Sequence, residues 1–133
     1  LTDHLLDTNA LLIMALESGF VAPAVRAAFS EGRRFVSHVC AIEIAVKQSI
    51  GKLPLPPPFE TDFAYAFTQM VSRLGAQVLP IDLRHVATLS RLPTYHRDPF
   101  DRLIIAQALS EDLTVITRDS FFSAYPGLPV LRI

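Results

Sequence analysis

Short apolar runs alternating with helical periods along the whole chain restrict its fold more than any other feature. Residues 4–7, HLLD, read as a buried strand ending in a carboxylate, and residues 9–17 then carry apolar residues suited to a helix. A second helix over 22–31 has Pro23 in its first turn, Arg34-Phe35-Val36 reads as a second strand, and Ser37 suits the N-cap of a third helix over 38–50. That helix places Val39, Ile42, Val46 and Ile50 on one side, and Gly51 stands where a helix end favours positive φ. LPLPPPF at 53–59 cannot continue a helix and reads as an extended loop. Beyond it the pattern gives a helix over 61–74 ended by Gly75, a strand over 77–81, and a helix capped by Asp82 running to about Leu92. Asp98-Pro99 opens another helix to about Ser110, followed by a strand over 113–117, a short helical turn over 119–123 and a last strand over 129–133.

Strands that alternate with helices imply a parallel sheet covered on both faces, because right-handed crossovers put the helices there. The expected class is α/β, a three-layer α/β/α sandwich around a central parallel sheet of about five strands, with residues 1–133 forming one domain. Functional groups in such sheets gather beyond the carboxyl ends of the strands, where strand order reverses.

The 12 Lys plus Arg nearly balance the 13 Asp plus Glu, so no global field advertises a nucleic-acid or membrane partner, and any RNA contact must come from a local patch. A single cysteine, Cys40, excludes an internal disulfide, suits a reducing cytoplasm and reads as a buried structural thiol. No apolar run approaches the ~18 residues that span a bilayer, and no signal-like segment opens the chain, so a soluble cytoplasmic protein without membrane contact is expected.

Acidic residues fall at the ends of these elements. Asp7 closes the first strand, Glu43 lies within the helix after the second, Asp98 and Asp101 open the helix before the fourth, and Asp119 follows the fourth. All can reach one end of one sheet. Carboxylates ~5 Å apart repel by about 3 kcal/mol per pair at an effective dielectric near 20, so such a cluster calls for a cation. Oxygen ligands point to magnesium or manganese, and neither HExxH nor CxxC is present to favour zinc. A metal held by carboxylates suits phosphodiester hydrolysis, since it can lower the pKa of a bound water and stabilise the leaving oxygen. Plainer readings stand beside each residue: Asp7, Asp98 and Asp119 could cap helices, Asp98 above all, and Glu43 could pair with Lys47 on a solvated surface. Asp82 also follows a strand and is read as a cap alone, away from the switch point.

The segments LLDTNALL, VSHVCAIEIAVKQSIGKL, HRDPFDRLIIAQAL and LTVITRDSFFSAY, together spanning nearly the whole chain, resemble the four signature blocks of PIN-domain proteins. The resemblance is closest to the VapC-type toxins of bacterial type II toxin–antitoxin pairs, small free-standing ribonucleases that are usually dimeric. It implies that Asp7, Glu43, Asp101 and Asp119 are the acids that hold the metal, with Asp98 an additional acid of the DPFDR form. Asn9, Ser37 and Thr117 would orient these ligands. RNA contacts are expected from Arg102 and Arg118 first, then Lys47, Arg97 and Lys52, with Tyr95 or Phe100 available for base stacking. The resemblance also implies a cognate antitoxin lying across the site, for which Leu11, Leu12, Met14 and Ala15 offer an apolar surface unless they are ordinary core.

A haloacid-dehalogenase phosphatase would need a second Asp where Asn9 stands, and nucleotide-cofactor, P-loop and serine-hydrolase motifs are absent. The remaining alternative is a non-catalytic interaction module that binds an antitoxin or RNA and uses its carboxylates as caps and surface pairs.

Overall fold

The computed structural model describes residues 2–17 and 23–133. Its elements run β1 (His4–Leu6), α1 (Thr8–Leu16), α2 (Pro23–Glu31), β2 (Arg34–Ser37), α3 (His38–Ser49), α4 (Phe63–Arg73), β3 (Gln77–Leu79), α5 (Leu83–Ser90), α6 (Pro99–Glu111), β4 (Thr114–Thr117), a 3-10 turn (Ser120–Ala124) and β5 (Val130–Arg132). The expected start of the second helix at residue 22 lies outside the described residues. All strands are parallel and ordered β3-β2-β1-β4-β5, in the register His4 to Arg34 and His4 to Thr114.

Successive residues of a strand point to opposite faces, and in β1 both Leu5 and Leu6 are wholly buried, as are Val115 and Ile116 of β4. Helices therefore cover both faces of the sheet, the α/β/α arrangement expected. Leu11, Val39, Ile44, Ile104 and Ile105 supply the layers that pack on it. Among the described residues no helix is long and apolar enough to cross a membrane.

Local signals set the element ends. Ser37 caps α3 through Val39 N–H, Asp62 caps α4, Asp82 caps α5 in a reciprocal box with His85, and Asp98 caps α6 with Pro99 following. Gly51 and Gly75 take positive φ just past α3 and α4, which glycine does without strain. Arg84 and His85 in the first turn of α5 meet Glu111 at the end of α6, so these helices run antiparallel. The 91–98 connection consequently returns the chain to the carboxyl end of the sheet, while Asp82 stays at the opposite end of the α5–α6 pair.

One expectation fails. Of the apolar stripe read on α3, only Val39 is buried; Ile42, Val46 and Ile50 are 48%, 44% and 58% exposed. The sheet-facing side instead carries Val39, Cys40, Glu43 and Ile44. Hydrophobic periodicity selects the more apolar stripe, and the buried one is disguised by its carboxylate. Cys40 is buried as expected, its thiol pushed up to about 12 by desolvation.

Asp82→Ala should lower stability by ~1 kcal/mol in urea unfolding, the usual effect of losing an N-cap, without altering the carboxylate cluster described below.

Candidate metal centre

β1 is the central strand, and chain order reverses between it and β4. Asp7 emerges at that point, 2% exposed. Its Oδ1 accepts the Ala10 N–H (2.8 Å) and caps α1, while its Oδ2 accepts the Thr117 hydroxyl from the end of β4 (2.5 Å). The Thr117 oxygen in turn accepts the Asp119 N–H at 2.9 Å, which fixes the backbone of the acid after β4. Thr117 thus bonds the side chain of one acid and the backbone of another.

Glu43 reaches the cluster from the second turn of α3 and is 5% exposed. Thr8 donates to its Oε1 at 2.6 Å and the Lys47 ammonium to its Oε2 at 2.7 Å. The i,i+4 pair exists, yet it is no solvated surface pair, because only its lysine end reaches water. Asp98 accepts the Phe100 and Asp101 N–H groups through Oδ1 at 2.9 and 3.0 Å and so caps α6. Asp101, in the first turn, turns Oδ2 toward His96 Nε2 (3.0 Å), and Asp119 Oδ2 lies 3.2 Å from the same nitrogen.

These groups share one electrostatic environment. Burial above all pushes Asp7 up to about 6, against the hydrogen bonds from Thr117 and Ala10 and with the charges of Glu43 and Asp119 adding to it. Burial likewise raises Asp101 to about 7, with Asp98, Glu43 and Asp7 contributing and His96 opposing. Lys47 is raised by its hydrogen bond to Glu43 first, then by the charges on Glu43, Asp98 and Asp101. Asp7, Glu43, Asp98, Asp101 and Asp119 therefore lie within electrostatic reach of one another.

Other expected members are placed differently. Asn9 is exposed and lines a groove with Leu12, Leu53, Pro54 and Arg118, with no hydrogen bond to the carboxylates among the described contacts. Ser37 is buried and spends its oxygen on capping α3. The Arg102 guanidinium donates to the carbonyls of Leu92, Pro93 and His96, which commits it to the 91–98 connection rather than to solvent. Arg97, Arg118 and Lys52 are exposed. Leu11 is core, whereas Leu12, Met14 and Ala15 are partly buried and line surface grooves. Thr8 and His96 were missed: Thr8 is hidden as an ordinary first helical residue, and His96 needed the geometry of the α6 cap to be seen.

A histidine stands among the acids, since His96, Asp101 and Asp119 each offer an atom within 4.8 Å of the others. A divalent cation fits the chemistry of the site. Two of its carboxyls resist ionisation, and among the oxygens of Asp7, Glu43 and Asp119 each accepts a protein hydrogen bond that leaves another lone pair free.

Residues 4–128 match the model of the PIN domain. The chain belongs to the PIN domain family. Its fold is similar to that of DNA-bound VapBC from Salmonella typhimurium (20% identity, 99% of this chain and 98% of that chain, TM-score 0.70). VapBC2 from Rickettsia felis bound to a promoter DNA fragment matches at 15% identity over 98% of both chains with TM-score 0.74. VapBC-5 of the VapBC family of toxin–antitoxin systems, from Mycobacterium tuberculosis, matches at 22% identity over the full length of both chains with TM-score 0.63. A comparison with curated protein sequences gives no significant match.

For both Asp7 and Asp101 the folded pKa lies above the ordinary value of 3.8, so the folded state holds protons that the unfolded chain has released. Their contribution to stability is complete below about pH 4 and is lost as pH rises through about 6 and 7. The metal-free protein should therefore melt lower at pH 8 than at pH 5, and Asp101→Asn should flatten that profile by raising the pH 8 value. Metal-free melting that rises steadily from pH 5 to pH 8 in the wild type would contradict this assignment.

Proposed function

We propose that this PIN domain is a metal-dependent endoribonuclease acting as the VapC-type toxin of a type II toxin–antitoxin pair in the cytoplasm, with its 133 residues forming one domain. The observation that carries the reading is the convergence of Asp7, Glu43, Asp101 and Asp119 on the switch point of the sheet, under the mutual influence recorded in the raised Asp7 and Asp101. Those residues would hold Mg2+ or Mn2+, with Asp98 adding negative charge from the α6 cap. A bound divalent ion supplies activation of water and neutralisation of developing charge on a phosphodiester.

The chain's own groups do the rest. Thr8 and Thr117 hold one oxygen each of Glu43 and Asp7, so the acids enter the reaction already oriented. Arg118 and Arg97, exposed and adjacent in sequence to Asp119 and Asp98, and the exposed end of Lys47 would offer charge to an RNA backbone, which makes binding weaken with salt. Leu12, Met14 and Ala15 supply apolar walls for an antitoxin segment, in keeping with the antitoxin-bearing systems whose fold this chain shares. The outward stripe of Ile42, Val46 and Ile50 supports a homodimer through α3, since a row of exposed apolar residues on one helix favours a partner.

Incubating purified protein with a pool of structured and single-stranded RNA tests the activity. Cutting should require Mg2+ or Mn2+, stop with chelator, and fall about 100-fold or more in Asp7→Asn, Glu43→Gln and Asp101→Asn, the scale of losing one electrostatic partner of a transition state. Asp98→Asn should keep most of the activity, because asparagine still caps α6. Undiminished cutting in chelator sinks the mechanism, and no cutting by folded protein favours a binding module. In light scattering, Val46→Glu should convert a dimer to a monomer; a wild-type monomer removes the dimer reading.

A further inference from the structure

His96 lies in the connection between α5 and α6, and the proposed reaction does not use it. Its position is determined from several sides. Arg102 donates to the carbonyls of Leu92 (3.3 Å), Pro93 (2.8 Å) and His96 itself (3.4 Å), tying the connection to α6. The imidazole packs against Phe121 and Phe122, with ring centroids 5.6 and 6.1 Å away.

Its two nitrogens have different neighbours. The Asp98 N–H donates to Nδ1 at 3.4 Å, and an accepting nitrogen carries no proton, so the proton resides on Nε2. Nε2 faces Asp101 Oδ2 at 3.0 Å and Asp119 Oδ2 at 3.2 Å. Nε2–H thereby bonds the carboxylate that follows β4, while a carboxylate of α6 lies at ion-pair distance from the same nitrogen. A metal-ligating Nε2 would require the other tautomer, which sets an Nδ1–H against the Asp98 N–H, donor against donor.

From this geometry we propose that His96 is a positioning residue of the metal centre, holding Asp119 through Nε2–H with Asp101 beside the same nitrogen, so that the two acids face one cation, without itself becoming a ligand. The proposal rests on the metal-dependent reading above. It also keeps the ligand atoms oxygen, which favours hard cations over zinc although a histidine stands in the cluster.

Mn2+ alone is the probe, followed by electron paramagnetic resonance for affinity and by electron spin echo for nitrogen coupling. Wild-type protein should bind Mn2+ with no directly coordinated imidazole nitrogen in the echo. His96→Phe keeps an aromatic ring against Phe121 and Phe122 but loses the N–H, and should weaken Mn2+ binding about 10- to 100-fold, the usual effect of removing an outer partner of a metal ligand. His96→Gln offers an N–H again and should recover most of that loss. Imidazole coupling present in the wild type and absent in either variant would make His96 a ligand and overturn the proposal. Unchanged Mn2+ affinity in a folded His96→Phe protein that gives wild-type circular dichroism would reduce it to a packing residue. Should His96→Phe fail to fold, His96→Leu, which also lacks the N–H, takes its place with the same expected loss and the same refuting result. A wild type that binds no Mn2+ brings down the metal-dependent reading itself, a result distinct from the failure of His96 alone.

Discussion

Carboxylates gathered in a water-poor cleft repel one another, by about 3 kcal/mol for each pair ~5 Å apart at an effective dielectric near 20, and the architecture above β1 and β4 answers that cost piece by piece. Asp7 takes the Ala10 N–H and the Thr117 hydroxyl; Glu43 takes the Thr8 hydroxyl and the Lys47 ammonium. The N-termini of α1, α3 and α6 also open at this end of the sheet, each bringing the positive end of a helix dipole. These devices leave Asp7 and Asp101 raised, burial being the first cause and the neighbouring carboxylates adding to it.

Capping and membership of the carboxylate cluster, which the sequence sets against each other as alternatives, fall to the same side chains. Asp7 spends Oδ1 on Ala10 and turns Oδ2 to the cleft; Asp119 spends Oδ1 on Phe121 and turns Oδ2 to His96. A parallel sheet makes this economical, because the residue that ends a strand is also the one that starts the next helix. The same coincidence explains why sequence alone could not separate the two readings.

What was legible follows from locality. The caps at Ser37, Asp82 and Asp98 and the glycines past α3 and α4 are decided by groups a few residues apart, and the strands by short apolar runs. Thr8 and His96 were not legible, because Glu43 lies 35 residues from Thr8 and Asp119 lies 23 residues from His96. Arg102 misled for a similar reason: adjacency to an acid promised a phosphate contact, whereas three carbonyls of the returning connection claim its guanidinium.

The α3 helix shows how the site shapes the surface around it. Glu43 must face the sheet to meet Thr8, so the helix is rotated to bury Val39, Cys40, Glu43 and Ile44. Ile42, Val46 and Ile50 are thereby carried outward, leaving apolar side chains in water that a purely structural helix would have buried. Lys47 follows Val46 directly and ends on Glu43. A partner seated on the outward stripe would therefore order the helix that positions one acid and its counter-charge, which places an association surface and the carboxylate cluster on a single rigid element.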